Sequence, residues 1–364
     1  MKQKDYIQHL MKETEIAMRL EVMAGPKPGL VDRNNSGSHQ DMDLNSFLRS
    51  AKALTPWFGR FMDISQASPS NLVLPRLRKI GQEAEEAMYQ VTEGANTHKG
   101  LIFSLGLISA CLVRLQMKLN RTPNFTDLSK LQELICLNSK DLTKELESEL
   151  ESELESGSEN KLKNIPETKL ENDFKNKVKK DSFQESQLEL GRKKRTEIGQ
   201  EINQEMILKN TLVKNPEVNP ETFSNQLSRP TTSHGEAVFA LYGLKGIRQE
   251  AEEGFPAVFQ VGLPAYDKFL EKYDQQDFVL VLTLLELILV TGDTNLVKRG
   301  GLKGLTFMRS EAARVLKLAP DLSEAELTEQ LIAFDKAAME KNLSPGGAAD
   351  NLALTIFLYR VLSS

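Results

Sequence analysis

The sequence is poor in cysteine, in histidine and in net positive charge. Its two cysteines, Cys111 and Cys136, stand apart and form no CxxC pattern. Neither a disulfide framework nor a cysteine-built zinc site is therefore expected. Cys111 lies in an apolar run and reads as a buried thiol. Lysine and arginine total 46 against 51 acidic residues, a formal charge of −5. That balance excludes the broad basic surface needed for non-specific nucleic-acid binding. No nucleic-acid partner is expected, although a nucleotide site stays open because local charge governs it. Long apolar runs are also missing. The two longest, Leu101–Val113 and Phe278–Val290, are about 13 residues each, short of the ~18 that suggest a membrane span. Both carry polar interruptions, Ser104 and Ser109 in one, Thr283 and Glu286 in the other. They read as central core helices. No secretory apolar segment follows Met1-Lys2-Gln3-Lys4-Asp5. The expectation is a soluble cytoplasmic protein with no membrane partner.

Strict alternation of apolar and polar residues, the mark of a half-buried strand, never reaches six residues beside a turn pair. Helical spacing dominates instead. Leu44, Phe47, Leu48, Ala51, Leu54, Phe58, Phe61 and Met62 form one stripe; Leu77, Ile80, Ala84, Ala87, Met88 and Val91 form another. Ala353, Ile356, Phe357 and Val361 repeat it near the end. The fold class is all-α, with one globular multi-helix domain. Its middle differs. From about 121 to 230, Asn, Glu and Lys prevail and large apolar residues thin out, a composition that cannot bury enough surface to offset chain entropy. Leu142, Leu146, Leu150 and Leu154 recur every four residues, so their stripe drifts by ~40° per repeat and cannot hold one flat face. Residues 121–230 read as a charged insert, disordered or loosely helical, between core halves 1–120 and 231–364. Arg192-Lys193-Lys194-Arg195 within it reads as a solvated charge run, with an anion patch as the other reading.

Short polar clusters stand at the ends of the apolar runs, and three of the four histidines lie in them. In Gly25-Pro26-Lys27-Pro28-Gly29, two prolines and two glycines stiffen the loop around Lys27, so the lysine could act as a point charge for phosphate or be an incidental surface residue. Asp32, Asp41 and Asp43 fall close together with His39 between them. Oxygen ligands of this kind suit a hard divalent cation, yet Asp43 also sits where a helix cap belongs. Asn96-Thr97-His98-Lys99-Gly100 opens the first core helix, where amide groups attract anions. Gly292-Asp293-Thr294-Asn295 and Lys298-Arg299-Gly300-Gly301 follow the second. Asp293 and Asn295 could ligate a metal and Arg299 could grip phosphate. Ser344-Pro345-Gly346-Gly347 reads as a helix start with Asp350 one turn in. His234-Gly235-Glu236 is a further cluster. Glu286, inside an apolar helix, is either functional or on a wet edge.

Taken in order, these blocks resemble the triphosphoribosyl-dephospho-CoA synthases, which serve citrate lyase or malonate decarboxylase. The stretches that carry the resemblance are Pro26–Asp43, Gly81–Leu107 (GQEAEEAMYQVTEGANTHKGLIFSLGL), His234–Pro264, Gly292–Gly301 and Asn342–Thr355 (NLSPGGAADNLALT). They cover most of residues 20–118 and 234–360 and leave the insert out. The resemblance implies an all-α pentosyltransferase. A ribose hydroxyl of 3'-dephospho-CoA would attack the anomeric carbon of ATP, adenine would leave, and the triphosphate would stay attached. The product would pass to a carrier-protein transferase. On the matching positions, the resemblance implies Asp41, Asp43 and Asp350 as catalytic carboxylates, and Asp32, Asp41, Asp43, Asp293 and Asn295 as ligands of Mg2+. It implies Lys27, His39, Asn96, His98, Lys99, Arg299, Ser344, Gly346 and Gly347 as substrate or phosphate contacts. Metal-dependent N-glycosidic hydrolysis and a non-catalytic nucleotide- or CoA-binding module are the other two readings.

Overall fold

The computed structural model describes residues 2–68, 73–145, 244 and 246–364. All described elements are helical. In chain order they are α1 (Gln3–Met23), α2 (Leu44–Ala67), α3 (Val73–Val91), α4 (Lys99–Leu119), a 3-10 turn (Phe125–Asp127) and α5 (Leu128–Asn138). Then come α6 (Gly246–Glu252), a π-helix (Ala257–Gly262), α7 (Leu263–Lys272), α8 (Gln276–Val290), α9 (Thr294–Leu318), α10 (Glu324–Glu340) and α11 (Gly346–Leu362). The all-α expectation holds for the described residues. These elements belong to one compact unit, built from residues 1–147 and 232–364.

The stripes read from the sequence lie on the buried faces, with Leu44, Phe47, Leu48, Ala87 and Val91 half-buried at their edges. On α2, Ala51, Leu54, Phe58, Phe61 and Met62 point inward; on α3, Leu77, Ile80, Ala84 and Met88 do so. The two apolar runs become α4 and α8, buried on nearly every side. Among the described residues α4 alone is long and apolar enough to cross a membrane by itself, and 78% of that stretch is buried inside the protein. α4 packs on α2, α3 and α5, and α8 packs on α7, α9 and the π-helix. α11 touches α1, α4 and α8 and so joins the two halves of the chain. Its Arg360 binds Glu13 of α1 at 2.5 Å.

The segment after 120 departs from its composition-based reading. Leu131, Leu134 and Ile135 of α5, and Leu142 beyond it, are buried in the core. Ser139 Oγ donates to the Ala251 carbonyl at 2.7 Å, and Thr143 binds Glu252. The helical core thus runs to at least residue 145; a few leucines among polar residues suffice when they meet a ready apolar face. The remaining insert residues, with Leu146–Leu154 and Arg192–Arg195, lie outside the described residues, as does His234-Gly235-Glu236. Glu286 lies on the wet edge of α8, 3.7 Å from Lys268.

Candidate active site

The loop after α1 is knitted by one carboxylate. Asp32 accepts hydrogen bonds from the backbone N–H groups of Lys27 (2.9 Å), Asn34 (2.6 Å) and Asn35 (3.1 Å). A second carboxylate, Asp335 of α10, takes the Gly29 N–H and the Asn35 side-chain amide, both at 2.8 Å. Gly29 has φ +71°, and a Cβ there would lie 2.0 Å from the Leu343 carbonyl oxygen; only glycine fits. The stiff frame does fix Lys27, which is 1% exposed. Its ammonium donates to the Glu21 carbonyl at 2.7 Å and pairs with the Glu21 carboxylate. Burial pushes the Glu21 carboxyl up, and Lys27 pulls against that shift.

His39, Arg299 and Ser344 meet nearby. Arg299 donates to the Ser38 carbonyl (2.8 Å), to Asn342 Oδ1 (2.9 Å) and to His39 Nδ1 (3.2 Å). A guanidinium has no acceptor, so Nδ1 accepts and His39 Nε2 donates to Ser344 Oγ at 2.9 Å. Burial and then Arg299 lower His39 to about 4, so the ring is neutral near pH 7. Asp41, 3.9 Å away and with its side chain 64% exposed, forms no tight contact with it. Asp43 caps α2, accepting from the Ser46 N–H and hydroxyl, both at 2.8 Å. Its carboxyl is held low by those two bonds. Asp43→Ala is therefore expected to cost ~0.5–2 kcal/mol, read as a lower midpoint in urea unfolding.

Asp293 ties two helix starts together. One oxygen accepts from the N–H groups of Asn295 (2.9 Å) and Leu296 (3.1 Å) of α9; the other accepts from Gly347 (2.8 Å) and Ala348 (3.2 Å) of α11. The Asn295 amide lies against Gly346, where an added Cβ would be 2.7 Å from it. The double glycine thus admits both side chains. Beside them, Asn351 Nδ2 donates to Thr291 Oγ1 (3.1 Å), and Arg309 donates to the Thr291 carbonyl (3.1 Å).

Asp350 differs from all these carboxylates. It has no hydrogen bond or ion pair among the described residues, and its Oδ2 would lie 2.3 Å from a Cβ added to Gly100. Burial, followed by the like charges of Glu21 and Asp293, raises its carboxyl well above the usual range. Next to Gly100, His98 is 3% exposed. Burial and then Lys27 lower it to about 3. Lys27, Glu21, His98, Asp293 and Asp350 thus converge from four segments of the chain. Asn96 and Lys99 face solvent; Asn96 caps the Lys99 N–H at 3.2 Å, and Lys99 pairs with Glu85 at 2.9 Å. Three buried polar atoms here have no hydrogen-bond partner among the described residues: His98 Nε2, Asn351 Oδ1 and Arg309 Nε.

Residues 7–175 and 196–364 match the family described as ATP:dephospho-CoA triphosphoribosyl transferase. The chain belongs to this family. It is 34% identical to a probable 2-(5''-triphosphoribosyl)-3'-dephosphocoenzyme-A synthase of Vibrio cholerae, over 95% of this chain and 86% of that protein. It is 33% identical to the synthase of that name from Escherichia fergusonii, over 94% of this chain and 88% of the relative. "Protein CitXG" of Haemophilus influenzae is 32% identical over 97% of this chain, which spans 60% of that protein's length. No solved structure matches the chain. The family match takes in much of 121–230, more than the ordered blocks alone had covered.

Sequence reasoning about this transferase passed over Glu21, Asp335 and Arg309. A signal existed for two of them. Glu21 shares a stripe with Ala17, Met18 and Val22, and Arg309 stands beside Leu305, Met308 and Ala312, all buried. A charge within an apolar stripe must find a partner or a ligand. Asp335 carried less warning, because its two partners lie some 300 residues away.

Proposed function

We propose that the cluster around Asp350 is the transferase centre, and that Asp350 accepts the proton of the attacking hydroxyl. The family's reaction, transfer of the triphosphoribosyl group of ATP to dephospho-CoA, is this chain's activity. The ribose 2'-hydroxyl oxygen of 3'-dephospho-CoA attacks the anomeric carbon of ATP's ribose as the bond to adenine breaks. The bonding electrons leave with adenine, which takes up a proton. The hydroxyl proton passes to Asp350. One observation carries the assignment: among the described residues, Asp350 alone of the clustered carboxylates has both oxygens uncommitted. A carboxylate whose pKa is raised by burial is a stronger base than an ordinary aspartate, and until it takes the proton its charge stabilises the positive charge developing on the sugar.

The triphosphate falls to the cations. Arg309 and Lys298 have no carboxylate in contact among the described residues, and burial lowers both. Burial without an anion is costly, and a phosphate oxygen relieves it. Magnesium was tested against the donor set. No group of three His, Cys, Asp or Glu side chains is poised for a metal among the described residues. Asp32 and Asp293 spend both oxygens on the chain itself. Asp350, the exposed Asp41 and the second oxygen of Asp43 remain. One or two carboxylates fit a magnesium ion that arrives on the triphosphate, where it would neutralise phosphate charge. Arg299, His39 and Ser344 brace the loop that carries Asp41, while Gly346 and Gly347 admit Asn295 and Asp293. Both core halves, 1–120 and 231–364, supply residues to this centre. A soluble cytoplasmic enzyme that hands its product to a carrier-protein transferase completes the reading.

Incubation with ATP, magnesium and dephospho-CoA, followed by mass spectrometry, should show adenine and the pentosylated product in equal amounts. Adenine release that needs no dephospho-CoA would replace transfer with hydrolysis. Arg309→Met should raise the KM for ATP ~10- to 100-fold, the value of a hydrogen bond to a charged group. An unchanged KM removes Arg309 from the triphosphate.

A further inference from the structure

We infer that Ser50 and Thr97 are positioning residues that hold His98 in one tautomer, so that its Nε2–H donates a hydrogen bond to the adenine of bound ATP. The inference rests on the transferase reading of this site.

The relay is short and dry. Thr97 Oγ1 donates to Ser50 Oγ at 2.8 Å, and Ser50 Oγ lies 2.7 Å from His98 Nδ1. In the proposed relay Ser50 Oγ donates a hydrogen bond through its own hydroxyl proton to Nδ1. Nδ1 accepts it, and the imidazole's own proton sits on Nε2. Ser50, Thr97 and His98 are all buried, so water does not compete for these bonds. The ring and the backbone of His98 are held from other sides as well. Phe47 packs edge-on at 5.0 Å between ring centres, and the His98 backbone N–H meets Met88 Sδ at 3.2 Å. Every polar atom of the residue is accounted for except Nε2, which is buried without a partner among the described residues.

Native proteins leave few buried N–H groups unpaired, and each such group needs a reason. The charged neighbours do not supply an acceptor. Lys27, whose charge reaches His98, only donates. Asp350 lies against Gly100 and makes no hydrogen bond to the ring. The missing acceptor therefore comes with a substrate. A neutral, buried imidazole packed against Phe47 suits an aromatic base better than a phosphate, which prefers cations. Adenine's unprotonated ring nitrogens are acceptors. They become stronger acceptors as the glycosidic electrons flow into the ring, so the bond tightens toward the transition state.

The test uses the full-length protein with 15N-labelled histidine and long-range 1H–15N correlation spectra. Only four histidines occur, and His98→Gln identifies the signal. His98 should show a protonated Nε2 and a bare Nδ1, unchanged over about pH 5–8 where ordinary histidines titrate. Adenine and ATP should each move the Nε2–H resonance, and inorganic triphosphate should not. Ser50→Ala should mix the tautomers and lower kcat ~10- to 100-fold, the scale of a small misplacement, with the KM for ATP little changed. Thr97→Val should show a smaller loss of the same kind. A proton on Nδ1 in the wild type overturns the relay. So does Ser50→Ala with unaltered tautomer and turnover. A shift with triphosphate but not adenine overturns the adenine contact. The tautomer and the ligand-induced shifts do not depend on product formation, so a failed transfer assay remains a separate result.

Discussion

Asp350→Asn is expected to lower turnover ~10²–10⁴-fold, the range for a lost general base, while making the protein more stable. The two effects share one cause. The carboxylate has no hydrogen-bond donor and faces Glu21 and Asp293, so ionising it in the folded state is unfavourable. Asparagine removes that charge, and relief of this kind is worth ~0.5–2 kcal/mol. The gain should depend on pH. The folded-state carboxyl holds its proton more tightly than the unfolded chain's ordinary Asp at ~3.9. Between those two values the native state binds more protons, so wild-type stability falls as pH rises through the window. The variant lacks this slope. Its advantage should be absent below ~pH 3.9 and complete above the raised folded-state value. Thermal unfolding across pH, beside a steady-state assay, measures both effects. A variant that keeps normal turnover, or that loses stability at neutral pH, would exclude Asp350 as the strained base.

Lys27→Met should be the most destabilising single change in the site. It strands the buried Glu21 carboxylate, and breaking a buried pair from one side costs ~3–5 kcal/mol. Replacing both partners is a different matter. Lys27→Met combined with Glu21→Leu removes the two charges together and should recover most of that loss. The double variant also tests the electrostatics of Asp350. Glu21 is the first like charge that raises the Asp350 carboxyl, so the acid limb of kcat/KM should move to lower pH when Glu21 is gone. Urea unfolding of the wild type, the two single variants and the double variant forms a closed cycle. If Lys27→Met unfolds at the wild-type midpoint, the pair has no structural weight.

These contacts explain how far the candidate site could be read in advance. The stiffness of the Lys27 loop followed from its prolines and glycines, yet the lysine's partner did not. Lys27 reaches back to Glu21, a residue that looks like any other charge on an amphipathic helix. Asp32, Asp43 and Asp293 have the residue type and spacing of metal ligands, yet Asp32 and Asp293 spend both oxygens on backbone N–H groups, and Asp43 spends one on Ser46 as a helix cap. A carboxylate's chemistry depends on which donors surround it, and spacing along the chain does not specify donors from other segments. The same holds for His39. Arg299, 260 positions away, fixes its tautomer.

The amino-acid order alone settled the helical class, the inward faces of α2, α3 and α11, the central place of α4 and α8, and the family. Each of these depends on periodicity, on apolar length or on ordered local blocks, all of which are properties of neighbouring residues. Tertiary packing decided that α5 and Leu142 join the core, that Asp350 stays unpaired among like charges, and that His98 presents a bare N–H. Those outcomes depend on burial and on partners that only folding brings within hydrogen-bond range, because a buried group's charge and proton are set by everything packed against it.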